Sequence, residues 1–279
     1  WTHAKEKVSS PKWSADGKQL AFISNRDDKN QIYIMSAKGG EAKQLTKFEK
    51  GVSSFIWSPC SKKIWFSASL KDGRSWTDEA EEKEDKLPEA YVVDNMKYHN
   101  DGVGLLPKDT YRQIGSIVIA SGEIKAFTEG TFNHSLQAIS HDGKKLVMGV
   151  NRDESQDFSF HEPMLLIDIE TKKESVIIEE DGHFGGATFS SDDQYIAFGG
   201  MLHTFKNATH AEVYVYEVST GKLQILTEGI DAPVGDYAGA DIQQGANAPD
   251  VVWTNQNHLY FQLSTMGDVR LYFASLDGE

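Results

Sequence analysis

The chain is 279 residues long and carries a formal net charge of −14, from 42 acidic and 28 basic side chains. That balance argues against a nucleic-acid ligand, whose phosphates require a basic face, and against an anionic membrane surface. The single cysteine, Cys60, cannot form an internal disulfide, so a reducing, cytoplasmic setting is expected, and no apolar run approaches the roughly 18 residues of a membrane helix. With six Trp, ten Tyr and fourteen Phe, the composition favours pleated, half-buried surfaces over helices.

Residues 1 to 22 repeat as residues 45 to 66 at a constant offset. Trp1-Thr2 falls on Leu45-Thr46, Val8-Ser9-Ser10 on Val52-Ser53-Ser54 and Trp13-Ser14 on Trp57-Ser58. Lys18, Leu20 and Phe22 fall on Lys62, Ile64 and Phe66. Looser copies begin at Ala138-Ile139-Ser140, Thr188-Phe189-Ser190 and Val252-Trp253-Thr254. Each has a large apolar residue, a polar turn and an apolar strand. Asp16-Gly17 and Asp142-Gly143 suit tight hairpins. A third strand follows, as in Gln31 to Met35 or Glu212 to Tyr216, and then a glycine-bearing turn and a fourth strand ending in Leu45-Thr46, Phe127-Thr128 or Leu226-Thr227. Four short strands recurring at a period in the forties are the signature of β-propeller blades, which bury their faces only by stacking on neighbours. The expectation is therefore an all-β propeller with about five blades: residues 3–46, 47–128 with an insertion at 70–111, 129–178, 179–227 and 228–279. Trp13, Trp57, Ile139, Phe189 and Trp253 are expected at equivalent core positions.

Both ends fall inside a blade. Trp1-Thr2 matches the end of a fourth strand, and Leu276-Asp277-Gly278-Glu279 reads as the turn before one, so the fifth blade is expected to lack its outer strand, as if cut from a longer propeller. A complete five-bladed ring, closed by Trp1-Thr2, is the alternative. Two segments break the repeat. Ser75 to Lys86 reads as a short acidic helix capped by Ser75 or Thr77, and residues 228 to 250 read as an irregular loop. Gly185-Gly186 and Gly199-Gly200 are expected at strand ends.

Pro11-Lys12-Trp13-Ser14-Ala15-Asp16-Gly17-Lys18 resembles the Trp-Ser-Pro-Asp-Gly-Lys repeat of TolB-like propellers. Trp57-Ser58-Pro59 keeps the proline, and Cys60-Ser61 replaces Asp-Gly. Lys97-Tyr98-His99-Asn100-Asp101-Gly102-Val103-Gly104 resembles a segment, Arg/Lys-Tyr-Lys-x-Asp-Gly-x-Gly, of acylaminoacyl-peptidase-like members of the prolyl oligopeptidase family. The resemblance implies a seven-bladed propeller followed by a C-terminal α/β-hydrolase domain whose Ser, Asp, His triad carries its serine on a Gly-x-Ser-x-Gly elbow. It also implies that the propeller filters short peptide substrates by size.

This sequence contains no such elbow, so no triad residue carries over. No catalytic, cofactor-binding or metal-ligating residue is assigned, since His203 and His210 lack a third ligand. Tyr98, Asp101, Gly102 and Gly104 are the candidate domain-interface or gating residues, because Tyr91, Val92, Val93, Met96 and Tyr98 offer more apolar surface than a free loop should show to water. The alternative for this stretch is cover for its own blade's edge. The alternative for the chain is a TolB-like module that binds a protein partner.

Overall fold

The structure, a computed structural model, describes residues 7–78, 90, 92–101, 104–154, 156–159, 161–238, 251–254 and 258–277. Among them the regular elements are strands, apart from one 3₁₀ turn at Lys206–Ala208. Five successive antiparallel sheets make the chain an all-β propeller of five blades. No helix among the described residues is long and apolar enough to cross a membrane. The chain divides into two compact units, residues 1–136 with 152–159, and residues 137–151 with 160–279.

The first unit holds two blades. Blade one runs in spatial order β1 (Val8–Trp13), β2 (Gln19–Asp27), β3 (Lys29–Ser36) and β4 (Lys43–Gln44). Blade two contains β5 (Val52–Trp57) and β6 (Lys63–Lys71), then the inserted pair β7 (His99–Asn100) and β8 (Gly104–Leu105), then β9 (Thr110–Val118) and β10 (Ile124–Ala126). Strand β9 pairs with β6, so the insertion interrupts the chain without interrupting the sheet. Strand alternation turns Ala21, Ile23, Ile32 and Ile34 of blade one towards Phe55, Ile64, Phe66 and Ala68 of blade two in one buried cluster.

The first strands of these blades are also cross-linked. The indole N–H of Trp57 donates to the Lys12 carbonyl at 2.8 Å, and Lys12 Nζ donates to the Phe55 carbonyl at 2.9 Å. The second unit repeats the device, since Trp253 Nε1–H donates to the Thr188 carbonyl at 3.1 Å. Lys12 and Thr188 each precede the residue that ends the first strand of their blade.

The third sheet comprises β11 (His134–Ile139), β12 (Lys145–Val150), β13 (Met164–Asp168) and β14 (Glu174–Ile178). The fourth comprises β15 (Gly182–Phe189), β16 (Tyr195–Leu202), β17 (Glu212–Glu217) and β18 (Leu223–Ile225). The fifth has three strands among the described residues, β19 (Val251–Trp253), β20 (Leu259–Thr265) and β21 (Asp268–Ala274). Phe189, Ile196 and Phe198 pack on Val147, Met164 and Leu166, while Val213 and Val215 pack on Val251, Leu259 and Phe261.

The hairpin between the first two strands shows why Ser-x-Asp recurs. Ser14, Ser140 and Ser190 donate through Oγ to Asp16, Asp142 and Asp192 at 2.6 to 2.7 Å. The same hydroxyls accept the backbone N–H five residues on, from Gln19, Lys145 and Tyr195. Each carboxylate also accepts the N–H two residues on. In blade two Cys60 takes the carboxylate's place, with its Sγ 3.1 Å from Ser58 Oγ. The Ser58 hydroxyl and the Lys62 N–H hold this thiol below the usual cysteine range. Cys60→Asp restores the acceptor used by the other blades and is expected to raise stability by about 1 kcal/mol, a hydrogen bond's net worth. A rise of a few degrees in the melting midpoint checks it, and an unchanged or lower midpoint counts against it.

Several expectations are corrected. Trp13, Trp57, Ile139, Phe189 and Trp253 all end the first strand of their blade, but they are not equally buried. Trp57 and Phe189 are core residues, whereas Trp13 leaves 49% of its surface exposed. Trp57 packs on the preceding blade, and among the described residues no sheet precedes blade one for Trp13 to pack on.

Residues 75–78 form a turn, so no helix starts from a Ser75 cap, and a helix capped by Thr77 would fall on residues outside the described ones. In the turn the Ser75 N–H donates to Asp78 at 2.7 Å, and Trp76 folds inward between Phe48 and Phe66, each ring 5.1 Å away. The rest of that expected helix, and Tyr91, lie outside the described residues.

Gly185, Gly199 and Gly200 sit within β15 and β16, not at their ends. A Cβ on Gly200 would come within 2.4 Å of the Phe184 ring, so the glycine makes the space in which Phe184 packs edge-on to Tyr214. The described part of the 228–250 segment is irregular, as expected, and is tied down by the pairing of the buried Val234 with Leu263 and by hydrogen bonds that Val234, Gly235 and Tyr237 donate to Ala211, Gln262 and Ser264.

Candidate functional site

The connection from β6 to β9 replaces what blade one achieves with Asp28 alone. It leaves the sheet on the same end as the links that lead into the next blade. Its first part, the turn at 72–78, walls a cleft of about 540 Å³ with Arg74, Trp76, Gln113, Thr128 and Glu129 among its lining. Gln113 and Thr128 are occupied with each other, and Arg74 lies 3.5 Å from Asp78. Among the described residues no histidine or cysteine lines this cleft. No cluster of three metal-ligating side chains occurs among the described residues.

The second part of the insertion carries the candidate residues and folds as a hairpin. His99 pairs with Leu105, and Asn100 with Gly104. The Leu106 N–H donates to the Tyr98 carbonyl at 2.7 Å and extends the pairing by one step. Gly104 has φ +92, a conformation that side chains disfavour, and this explains a glycine at the start of the return strand. Asp101 stands fully exposed near the tip, 3.8 Å from His99 Nδ1. Gly102 lies outside the described residues. The structure therefore brings Tyr98, Asp101 and Gly104 into one hairpin, and Tyr98 is 41% exposed.

Sequence reasoning missed the partner of this hairpin. The Met96 and Lys97 N–H groups donate to the carboxylate of Asp157, the second at 2.9 Å. Lys97 Nζ donates to the carbonyls of Gln156 and Ser159. These two donated N–H groups, Lys97 first, hold the Asp157 carboxyl below the usual carboxylate range. The loop 152–159 follows β12, so it occupies in blade three the place that the insertion occupies in blade two. A second anchor, Lys108 Nζ to Asp94 at 2.6 Å, ties the chain leaving the hairpin to the chain entering it. Around these polar contacts Val92, Val93, Met96, Leu105 and Phe158 are exposed, Phe158 by 75%. Phe158, within a run of polar residues, was the available sequence signal. The arrangement is a pinned surface with apolar side chains outward.

No family model matches the chain. It is 35% identical over 280 residues to the uncharacterized peptidase YuxL of Bacillus subtilis, covering 100% of this chain and 42% of the relative. It resembles the Pyrococcus horikoshii acylaminoacyl peptidase with a TM-score of 0.62 and 22% identity, over 98% of this chain and 38% of that one. It resembles TolB from Acinetobacter baumannii with a TM-score of 0.58 and 16% identity, over 99% of this chain and 53% of that one. The chain is a TolB-like β-propeller, similar to the propeller domains of acylaminoacyl peptidases, and it spans less than half the length of its peptidase relative.

Proposed function

We propose that this propeller is the non-catalytic part of a serine peptidase of the acylaminoacyl-peptidase or prolyl oligopeptidase type. In this reading it gates the access of short peptides to an α/β-hydrolase domain of the same polypeptide. The observation that carries the reading is the 35% identity to a peptidase along the whole chain, over only 42% of that relative. The blade-two hairpin that carries Tyr98, Asp101 and Gly104 supplies the contact face, with exposed apolar side chains around it, and Gly102 is assigned to that face from the sequence. A cytoplasmic setting is part of the proposal, supported by the single thiol.

In the full-length polypeptide, Tyr98→Ala and Asp101→Ala are expected to change kcat/KM on short acylated peptides by on the order of tenfold, equivalent to about 1.4 kcal/mol. The unfolding midpoint is expected to stay within a degree or two of the parent, since both side chains are substantially exposed. Activity and midpoint falling together would instead mean that the hairpin only covers its own blade. Unchanged values of both, with retention of a protein partner by the propeller, would favour a TolB-like interaction module.

A further inference from the structure

We infer that Lys97 and Asp157 are positioning residues that lock the blade-two insertion onto loop 152–159, making that loop and its Phe158 part of the surface the insertion presents. The partner of this surface rests on the hydrolase reading above, but the lock itself does not.

Residues 72–109 leave and rejoin neighbouring strands β6 and β9, so sheet pairing fixes only the two ends of a long segment. A segment of that length retains many conformations unless something else holds it. Trp76 seats the turn at 72–78 on Phe48 and Phe66, and the hold of the later part of the insertion on loop 152–159 is reciprocal. The carboxylate comes from the loop and meets two backbone N–H groups of the insertion. The ammonium comes from the insertion and meets two backbone carbonyls of the loop. Each charge is thus met by dipoles of the opposite segment, the stronger class of hydrogen bond.

The loop is braced to receive it. Ser159 Oγ donates to Asp153 at 3.0 Å, and the Gln156 N–H donates to the Asp153 carbonyl at 3.1 Å. These bonds set the Gln156 and Ser159 carbonyls around a single point. Lys97 immediately precedes Tyr98, so the lock fixes the base of the candidate hairpin. The exposed apolar residues flank the lock on both segments: Val92, Val93, Met96 and Leu105 on one side and Phe158 on the other.

Amide hydrogen exchange on this chain tests the lock directly. In Asp157→Ala the amides of Met96 and Lys97 are expected to exchange faster by about tenfold or more, while those of β6 and β9 keep their protection. Lys97→Met should speed exchange across the insertion in the same way, and Lys97→Arg should largely restore it. Unchanged exchange at Met96 and Lys97 in Asp157→Ala overturns the inference. So does a uniform loss of protection through blade two, which would indicate a general structural role. Peptidase turnover of the full-length polypeptide separates the two readings. Faster exchange with unaltered turnover leaves the lock standing and removes the hydrolase contact, whereas unchanged exchange removes the lock whatever turnover does.

Discussion

Trp57→Ala is expected to destabilise the propeller by about 3–5 kcal/mol, the range for deleting a large buried aromatic side chain. Trp57 is 8% exposed and packs among Phe55, Ile64 and Phe66, on the face that meets blade one. The substitution leaves a cavity there and removes the indole N–H that holds the Lys12 carbonyl. A whole domain is stable by only about 5–15 kcal/mol, so one change takes a large share. Trp57→Phe keeps most of the ring and loses the hydrogen bond, and should cost about 1 kcal/mol from that bond plus a smaller packing loss. Trp13→Ala is the internal control. It removes the same residue type from the same strand position, but half of that side chain is in water, so no more than about 1.5 kcal/mol is expected. Urea unfolding of the three variants measures these differences. Equal costs for Trp13→Ala and Trp57→Ala would show that burial does not set the importance of this repeat position.

The repeat was legible because its determinants are local. Trp57-Ser58-Pro59-Cys60 places a strand end, a turn hydroxyl and a turn acceptor within four residues, and the hydrogen bonds that justify them close within the same hairpin. The sharing of Trp57 between blades was legible only as an aromatic at a fixed offset, since its partner is a backbone carbonyl, which a side-chain pattern cannot report. The same limit hid the lock on the insertion. Lys97 and Asp157 are 60 residues apart and meet main-chain atoms of each other's segments, not each other. Trp76 was misread for a different reason. Acidic neighbours on its C-terminal side suggested a wet helix, yet burial against Phe48 and Phe66 outweighs the local helical preference of a few residues. Gly200 illustrates a third case, in which a glycine signals space but not the ring that fills it.

Thr46→Val is expected to cost about 2–4 kcal/mol, although the side chain keeps its shape. Thr46 Oγ1 accepts the Ile32 N–H at 2.9 Å and donates to Gln31 Oε1 at 2.8 Å. Gln31 then accepts the Phe48 N–H at 3.1 Å and donates to the Phe48 carbonyl at 2.7 Å. The start of the third strand is thereby clamped to the end of the fourth, where the chain turns into the next blade. Gln31 and Thr46 are both almost fully buried, so valine leaves the Ile32 N–H without its acceptor and Gln31 Oε1 with one donor fewer, at about 1–3 kcal/mol per stranded group. Blade two builds the same clamp from Gln113, Thr128 and the Ile114 N–H, with Gln113 Nε2 donating to the Gly130 and Phe132 carbonyls. Thr128 lines the cleft and is only partly buried, so Thr128→Val should cost less than Thr46→Val. In blade four Thr227 accepts the Val213 N–H at 3.0 Å, but Glu212 stands where the other two blades have glutamine. Thr227→Val is accordingly expected to cost less, about 1–2 kcal/mol. The decisive measurement is a double-mutant cycle. Thr46→Val and Gln31→Leu each break the clamp, so the pair should cost less than the sum by about 1–2 kcal/mol. Strict additivity, or a Thr46→Val cost no greater than that of Thr227→Val, would mean that the two side chains act independently and that glutamine at this position is not what closes the blade.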